Sequence, residues 1–188
     1  MDLTDIRDVK ALLARHGFRF SKSMGQNFLI ADWVPRQIAD AAGLDERCAV
    51  LEIGPGIGPL TQQLALRAGR VAAVELDSAL LPILSETLAQ FSNVEVIPGD
   101  IMKLELPSLL ADRFSGFSVK ACANLPYNIT TPVLSRLLES GCFQSITVMI
   151  QREVAQRICA APGDSECGAF SLFCQYHARC ELLFEVPP

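Results

Sequence analysis

The 188-residue sequence has no run of 18 or more apolar residues, which excludes a helix of the length needed to cross a bilayer. Its first twenty residues, MDLTDIRDVKALLARHGFRF, are charged throughout and lack the apolar core of a secretory signal. The seven cysteines (48, 122, 142, 159, 167, 174, 180) are odd in number and contain no C-x-x-C pair. That spacing excludes the paired pattern of a secreted disulfide framework or a ribbon-type zinc site. Reduced thiols, no membrane and a cytoplasmic location are the expectation. The cluster Cys174-x-x-His177-x-x-Cys180 has no fourth ligand at useful spacing and sits in an apolar run, so no metal is expected there. The net charge of −5 excludes a surface coated in basic residues for indiscriminate nucleic-acid binding. A local basic face survives that exclusion. Lys10, Arg15, Arg19 and Lys22 interleave with Phe18 and Phe20, and read equally as a solvated helix with an arm or as an RNA contact.

No repeat or low-complexity linker divides the chain, so one compact domain is expected, with residues 1–48 forming a helical or arm segment before a core at 49–188. Strand-like and helix-like segments alternate, which predicts an α/β fold with a mostly parallel central sheet and helices on both faces. Apolar, β-branched runs predict strands at 49–53, 71–74, 94–97, 118–123 and 145–150, with a last strand at 178–186. Helical periodicity follows at 59–67, and Ser78 is read as the N-cap of a helix to about residue 90. Thr131-Pro132 opens another helix to about Ser140, and 153–160 is a further one. Gly54, Glu75, Asp100 and Asn124 each follow a different strand. In an open parallel sheet, ligands gather beyond those carboxyl ends.

Glu52-Ile53-Gly54-Pro55-Gly56-Ile57-Gly58 puts three glycines at alternating positions after a strand, where missing β-carbons let backbone approach a ligand. The dinucleotide fingerprint G-x-G-x-x-G is not met, because the sixth position counted from Gly54 is Pro59. The G-x-G-x-G spacing resembles the first motif of class I S-adenosylmethionine-dependent methyltransferases. Glu75 stands 21 positions after Gly54 at a strand end, where a carboxylate can accept bonds from both ribose hydroxyls. That role is shared with nicotinamide-binding proteins and fixes a ribose only.

Asn124-Leu125-Pro126-Tyr127 carries the most specific chemical signal. The exocyclic amine of adenine is a poor nucleophile because its lone pair is delocalised into the ring. Two acceptors that bond its hydrogens, the Asn124 side-chain oxygen and the Leu125 carbonyl, localise that lone pair and aim it at a sulfonium methyl carbon. Pro126 fixes the turn that directs the Leu125 carbonyl. Tyr127 offers a face for an adenine taken out of its stack.

The whole pattern resembles the ribosomal RNA adenine dimethylase family, and within it the small-subunit branch. The resemblance rests on Gly25-Gln26-Asn27-Phe28-Leu29, Glu52-Ile53-Gly54-Pro55-Gly56, Glu75-Leu76-Asp77, Gly99-Asp100, Asn124-Leu125-Pro126-Tyr127-Asn128-Ile129, Gln151-Arg152-Glu153-Val154 and Glu185-Val186-Pro187-Pro188. It implies a class I, Rossmann-like methyltransferase fold with S-adenosylmethionine as cofactor. It also implies that Gln26, Asn27 and Leu29 close over that cofactor, and that Gly54, Gly56, Glu75, Leu76, Asp100, Ile101 and Asn124 line its site, with Asp100 accepting from its adenine amine. The implied activity is N6,N6-dimethylation of two adjacent adenosines near the 3′ end of small-subunit ribosomal RNA, presented by an assembling ribosomal particle to a monomeric enzyme. Three departures stand out. The family continues past V-P-P into a basic helical domain, which is expected to be absent from this sequence. Glu166-Cys167-Gly168-Ala169-Phe170 replaces a usual Tyr-Gly pair, and Asp2, Asp5 and Asp8 dilute a basic N-terminal arm. A large-subunit adenine methylase of the macrolide-resistance type, a binding-only assembly or transcription factor, and a glutamine methyltransferase with N-P-P-Y remain as alternatives.

Overall fold

A computed structural model describes residues 1–18 and 31–187. Five strands, β1 (Cys48–Ile53), β2 (Arg70–Glu75), β3 (Val94–Pro98), β4 (Ser118–Asn124) and β5 (Ser145–Met149), form one sheet in the order β3-β2-β1-β4-β5. Every pairing is parallel. The order reverses direction at β1, whose two neighbours are β2 and β4, and this opens a crevice beyond the carboxyl end of the central strand. β1 is buried along its whole length, which explains its almost unbroken apolar sequence C-A-V-L-E-I.

Alternation along the strands sends side chains to two faces. Ala49, Leu51, Ile53, Ala72, Val74, Ala121 and Ala123 meet α5 (Leu106–Phe114), α6 (Thr130–Ser140), α7 (Arg152–Cys159) and α8 (Ala169–His177). Val50, Val71 and Cys122 meet α2 (Trp33–Ala41) and α3 (Pro59–Ala65) on the opposite face. There α1 (Ile6–Arg15) and α4 (Leu81–Thr87) form a third apolar cluster with Ile57 and Leu80. The parallel α/β architecture with helices on both faces is therefore as the alternation predicts.

Four details differ from the sequence reading. The cap before the fourth helix is Asp77, whose carboxylate accepts from the Ala79 N–H at 3.0 Å, and a 3-10 turn at Ser78–Leu80 precedes α4, which ends at Thr87. Aspartate wins over serine because it stands where the chain is still extended, the geometry a cap requires. Helix α5, opened by a proline in its first turn, was not anticipated. Residues 178–186 form no strand. Phe184 and Val186 dock on the α2 face instead, with Phe184 6.4 Å from the Trp33 ring and Glu185 3.3 Å from Arg152, while Leu182 and Leu183 stay exposed. Finally, the helix expected from Thr131-Pro132 starts one residue earlier, at Thr130, whose hydroxyl bonds the Pro126 carbonyl at 3.1 Å.

Candidate active site

The carboxyl ends of β1, β2 and β4 assemble the pocket. Glu52 is in register with Ala73 on β2 and with Cys122 on β4. Glu75 and Asn124 lie two residues beyond those partners, and Gly54 two beyond Glu52, so all four point to the same face. Gly54 sits between Glu75 and Asn124 at their level, one pleat above Glu52.

The glycine loop needs its glycines for different reasons. Gly54, Gly56 and Gly58 have φ of 68°, 62° and 98°, a region that side chains with a β-carbon adopt at a cost. A β-carbon on Gly58 would also press Leu88 and Thr87 of the α4 region at 3.2 Å. One on Gly54 would meet nothing within 4 Å. The space beside Gly54 is therefore open, a cradle that a ligand can occupy. Beyond the loop, α3 starts at Pro59 with its first turn behind the glycines.

Glu75 is 6% exposed and holds the loop in place. Its Oε2 accepts from the Gly56 N–H at 3.3 Å and its Oε1 from the Asp77 N–H at 2.7 Å. Burial raises its carboxyl from the usual range, and these backbone donors work against that rise. A carboxylate has about four acceptor positions, so two remain for hydroxyls of a ligand. Leu76, 60% exposed, lies beside it as an apolar platform. At the end of β3, Asp100 spends Oδ1 on the Met102 N–H at 2.9 Å and holds Lys103 at 3.9 Å with Oδ2. Ile101 is buried in the core with Ile53 and Val74.

Across the crevice the groups are open. Leu125 donates its N–H to the Met149 carbonyl at 3.1 Å, extending the β4–β5 ladder by one step, and buries its side chain in the core. The Pro126 carbonyl accepts from the Ile129 N–H at 3.2 Å and from Thr130, which closes the turn onto α6. Among the described residues nothing donates to the Leu125 carbonyl or bonds the Asn124 amide. Tyr127 is 52% exposed. The loop thus presents two acceptors and a ring without internal partners, an arrangement that can seize an amino group and the flat base bearing it.

Glu52 is the residue that sequence reasoning missed. Only 1% exposed, it has no hydrogen-bond partner for Oε2 among the described residues. Burial pushes its carboxyl up to about 8; the Thr61 hydroxyl on α3 opposes the rise and Glu75 adds to it. Cys122 opposite is driven above the usual thiol range by burial and by Glu52. A carboxylate inside an otherwise apolar strand was the available signal.

Gln26, Asn27 and Leu29 lie outside the described residues. In the Cys174–His177–Cys180 segment, Cys174 is buried and the His177 ring packs on Phe173 at 4.8 Å. No group of three potential ligands converges on a metal position among the described residues, and no helix among them is long and apolar enough to cross a membrane.

A family model described as ribosomal RNA adenine dimethylase matches residues 17–188. The ribosomal RNA small subunit methyltransferase A of Shouchella clausii (strain KSM-K16) is 47% identical over 188 residues, 99% of this chain and 64% of that protein. Its namesake in Alkaliphilus metalliredigens (strain QYMF) is 49% identical over 180 residues, 95% of this chain and 63% of that protein. The chain thus spans less of these relatives than they span of it. Among solved structures, a dimethyladenosine transferase from Plasmodium falciparum superposes with a TM-score of 0.62 at 29% identity, over 75% of this chain and 49% of that one. The 23S rRNA methyltransferase ErmE does so with 0.61 at 34% identity, over 70% and 50%. The matched span takes in the glycine loop, both strand-end acids and the N-L-P-Y turn, and the fold is that of class I methyltransferases: the chain belongs to the ribosomal RNA adenine dimethylase family.

Proposed function

We propose that this chain is the methyltransferase catalytic domain, residues 1–188, of an S-adenosylmethionine-dependent enzyme that dimethylates N6 of two adjacent adenosines near the 3′ end of small-subunit ribosomal RNA. The substrate is the RNA within an assembling ribosomal particle, and the enzyme works as a cytoplasmic monomer. The observation that carries the reading is the pair of acceptors that lack donors among the described residues, Asn124 and the Leu125 carbonyl, beside the open space at Gly54. The names of the relatives favour the small subunit over the large, since the large-subunit enzyme ErmE is the more distant likeness. A binding-only role is disfavoured by the intact Glu75, Asp100, Asn124 and Tyr127.

The cofactor supplies, when bound, a methyl group activated as an electrophile on a positively charged sulfur. Glu75 holds the ribose hydroxyls with its two free acceptor positions, Leu76 and Asp100 flank the adenine, and Gly54 and Gly56 leave room for the methionine portion. Gln26, Asn27 and Leu29 close over it. Asn124 Oδ1 and the Leu125 carbonyl accept the two hydrogens of the target amine, which orients its lone pair in line for transfer. Pro126 keeps that carbonyl aimed, and Tyr127 stacks on the extruded base. Asparagine suits the task because it accepts without a charge that must be desolvated. The departing proton passes to water, and no strong base is needed. Two rounds per adenine require the same pocket to admit a secondary amine, which the exposed Tyr127 side leaves room for.

The test is transfer of labelled methyl from S-adenosylmethionine to small-subunit precursor particles and, in parallel, to naked large-subunit RNA. Label as dimethyladenosine in the particles is expected. Label confined to the large-subunit RNA would overturn the assignment.

A further inference from the structure

Beneath the proposed methyl-transfer pocket lies a carboxyl group for which the reaction itself has no use. Glu52 occupies the central strand at the switch point of the sheet, one pleat, roughly 7 Å, below the level of Glu75 and Asn124. The position above it on its own strand is Gly54, where a side chain would meet only open space. An anion there has an oxygen with no donor among the described residues and no access to water, a state that costs far more than a neutral acid. The titratable groups that face it are Glu75 from β2 and Cys122 from β4, and α3 contributes only the Thr61 hydroxyl. No described residue brings positive charge to this floor. Two carboxyls with no cation beside them among the described residues favour keeping a proton on the more buried of the two.

We propose that Glu52 is a proton-linked counter-charge: it stays a neutral acid until a cationic ligand settles over Gly54, and then releases its proton to solvent as the ligand's charge takes the proton's place. The O–H bond of one carboxylic acid breaks, one proton leaves to buffer carrying the unit of positive charge that the ligand brought in, and the floor with its ligand is as neutral as the empty floor was. The inference rests on the reading of the site as one for S-adenosylmethionine, whose sulfonium and amino groups are the cations in question. The consequence is an affinity that rises with pH and levels off above about 8, the value at which the empty pocket already loses the proton. The sign follows from linkage: below that pH the ligand must displace a proton, and above it the site is already charged.

The experiment is titration calorimetry of the 188-residue chain with S-adenosylmethionine at pH 7 in phosphate and in Tris, whose ionisation enthalpies differ. The heats should differ by the release of roughly 0.5–1 proton in excess of that seen for Glu52→Gln, and affinity should climb by up to ~10-fold per pH unit between pH 6 and 8. Glu52→Gln should bind with a flat profile over that range. Wild-type binding with no excess proton release overturns this inference alone. Absence of any binding overturns the cofactor reading and this inference with it. Should Glu52→Gln fail to fold by circular dichroism, the wild-type chain alone serves: the release of roughly 0.5–1 proton at pH 7 should vanish by about pH 9.5, and release that persists there counts against the proposal.

Discussion

The two sides of the crevice are built on opposite rules. On the β1–β2 side, Glu75 is buried and each of its oxygens already holds a backbone N–H, at 3.3 Å from Gly56 and 2.7 Å from Asp77. On the β4 side, Asn124 and the Leu125 carbonyl have no donor among the described residues, and Tyr127 stands half in solvent. The first side spends its polar groups on shaping a loop and offers what acceptor capacity is left. The second is held by its buried leucine, its ladder bond to Met149 and the turn onto α6, and keeps its polar groups entirely for a visitor. Cofactor binding should therefore be coupled to stability, and catalysis should not.

The largest expected effect is on the open side. Asn124→Ala removes an acceptor made for the reacting amine, and the rate of transfer should fall by on the order of 10²–10³ or more. No bond to a described residue is lost with it, so the melting temperature should hold within about 2 °C and S-adenosylmethionine should bind within roughly twofold of wild type. A variant that loses cofactor affinity and activity in parallel would erase the distinction between the sides.

Glu75→Ala should show the reverse order. It leaves the Gly56 and Asp77 N–H groups without their acceptor and removes the ribose partner, so cofactor affinity should drop ~10–100-fold, read by calorimetry, at a cost of about 1–3 kcal/mol. Unlike Asn124→Ala it should also lower the melting temperature, since the loop is tied to β2 through this side chain. Unchanged stability with weakened binding would mean that the loop is held by its glycine geometry alone.

β1, β3 and β4 were legible as short apolar runs closed by glycine, proline or asparagine, β2 and β5 by their small and β-branched residues alone, and β1, buried throughout, leaves little polar register to misread. The 178–186 segment defeated the same logic. Its Leu182, Leu183, Phe184 and Val186 look like a strand, yet two of them dock on α2 and two face solvent, and hydropathy cannot tell docking from ladder formation. Strand-end acids were found by position, whereas Glu52 was passed over because it fell inside the glycine motif. Its parity with Gly54, countable in the sequence, already places it on the pocket floor. The Asp77 cap was misjudged by one residue, a distance set by where the chain leaves extended geometry rather than by composition. The segment with Gln26, Asn27 and Leu29 lies outside the described residues and stands on the resemblance alone.

The smallest expected effect separates the two parts of Tyr127. If the open side works by leaving surfaces unpaired, the ring is what the base uses, and its hydroxyl has no assigned partner in the turn. Tyr127→Phe should then keep kcat/KM within about threefold, while Tyr127→Ala should lose ~1–3 kcal/mol of transition-state stabilisation through the missing stacking face. Both should leave the affinity for S-adenosylmethionine untouched, because Leu76 and Glu75 flank the cofactor from the other strand. An equal loss in the two variants would move the burden from the ring to the hydroxyl, and would make the β4 side a polar, internally organised wall like its neighbour.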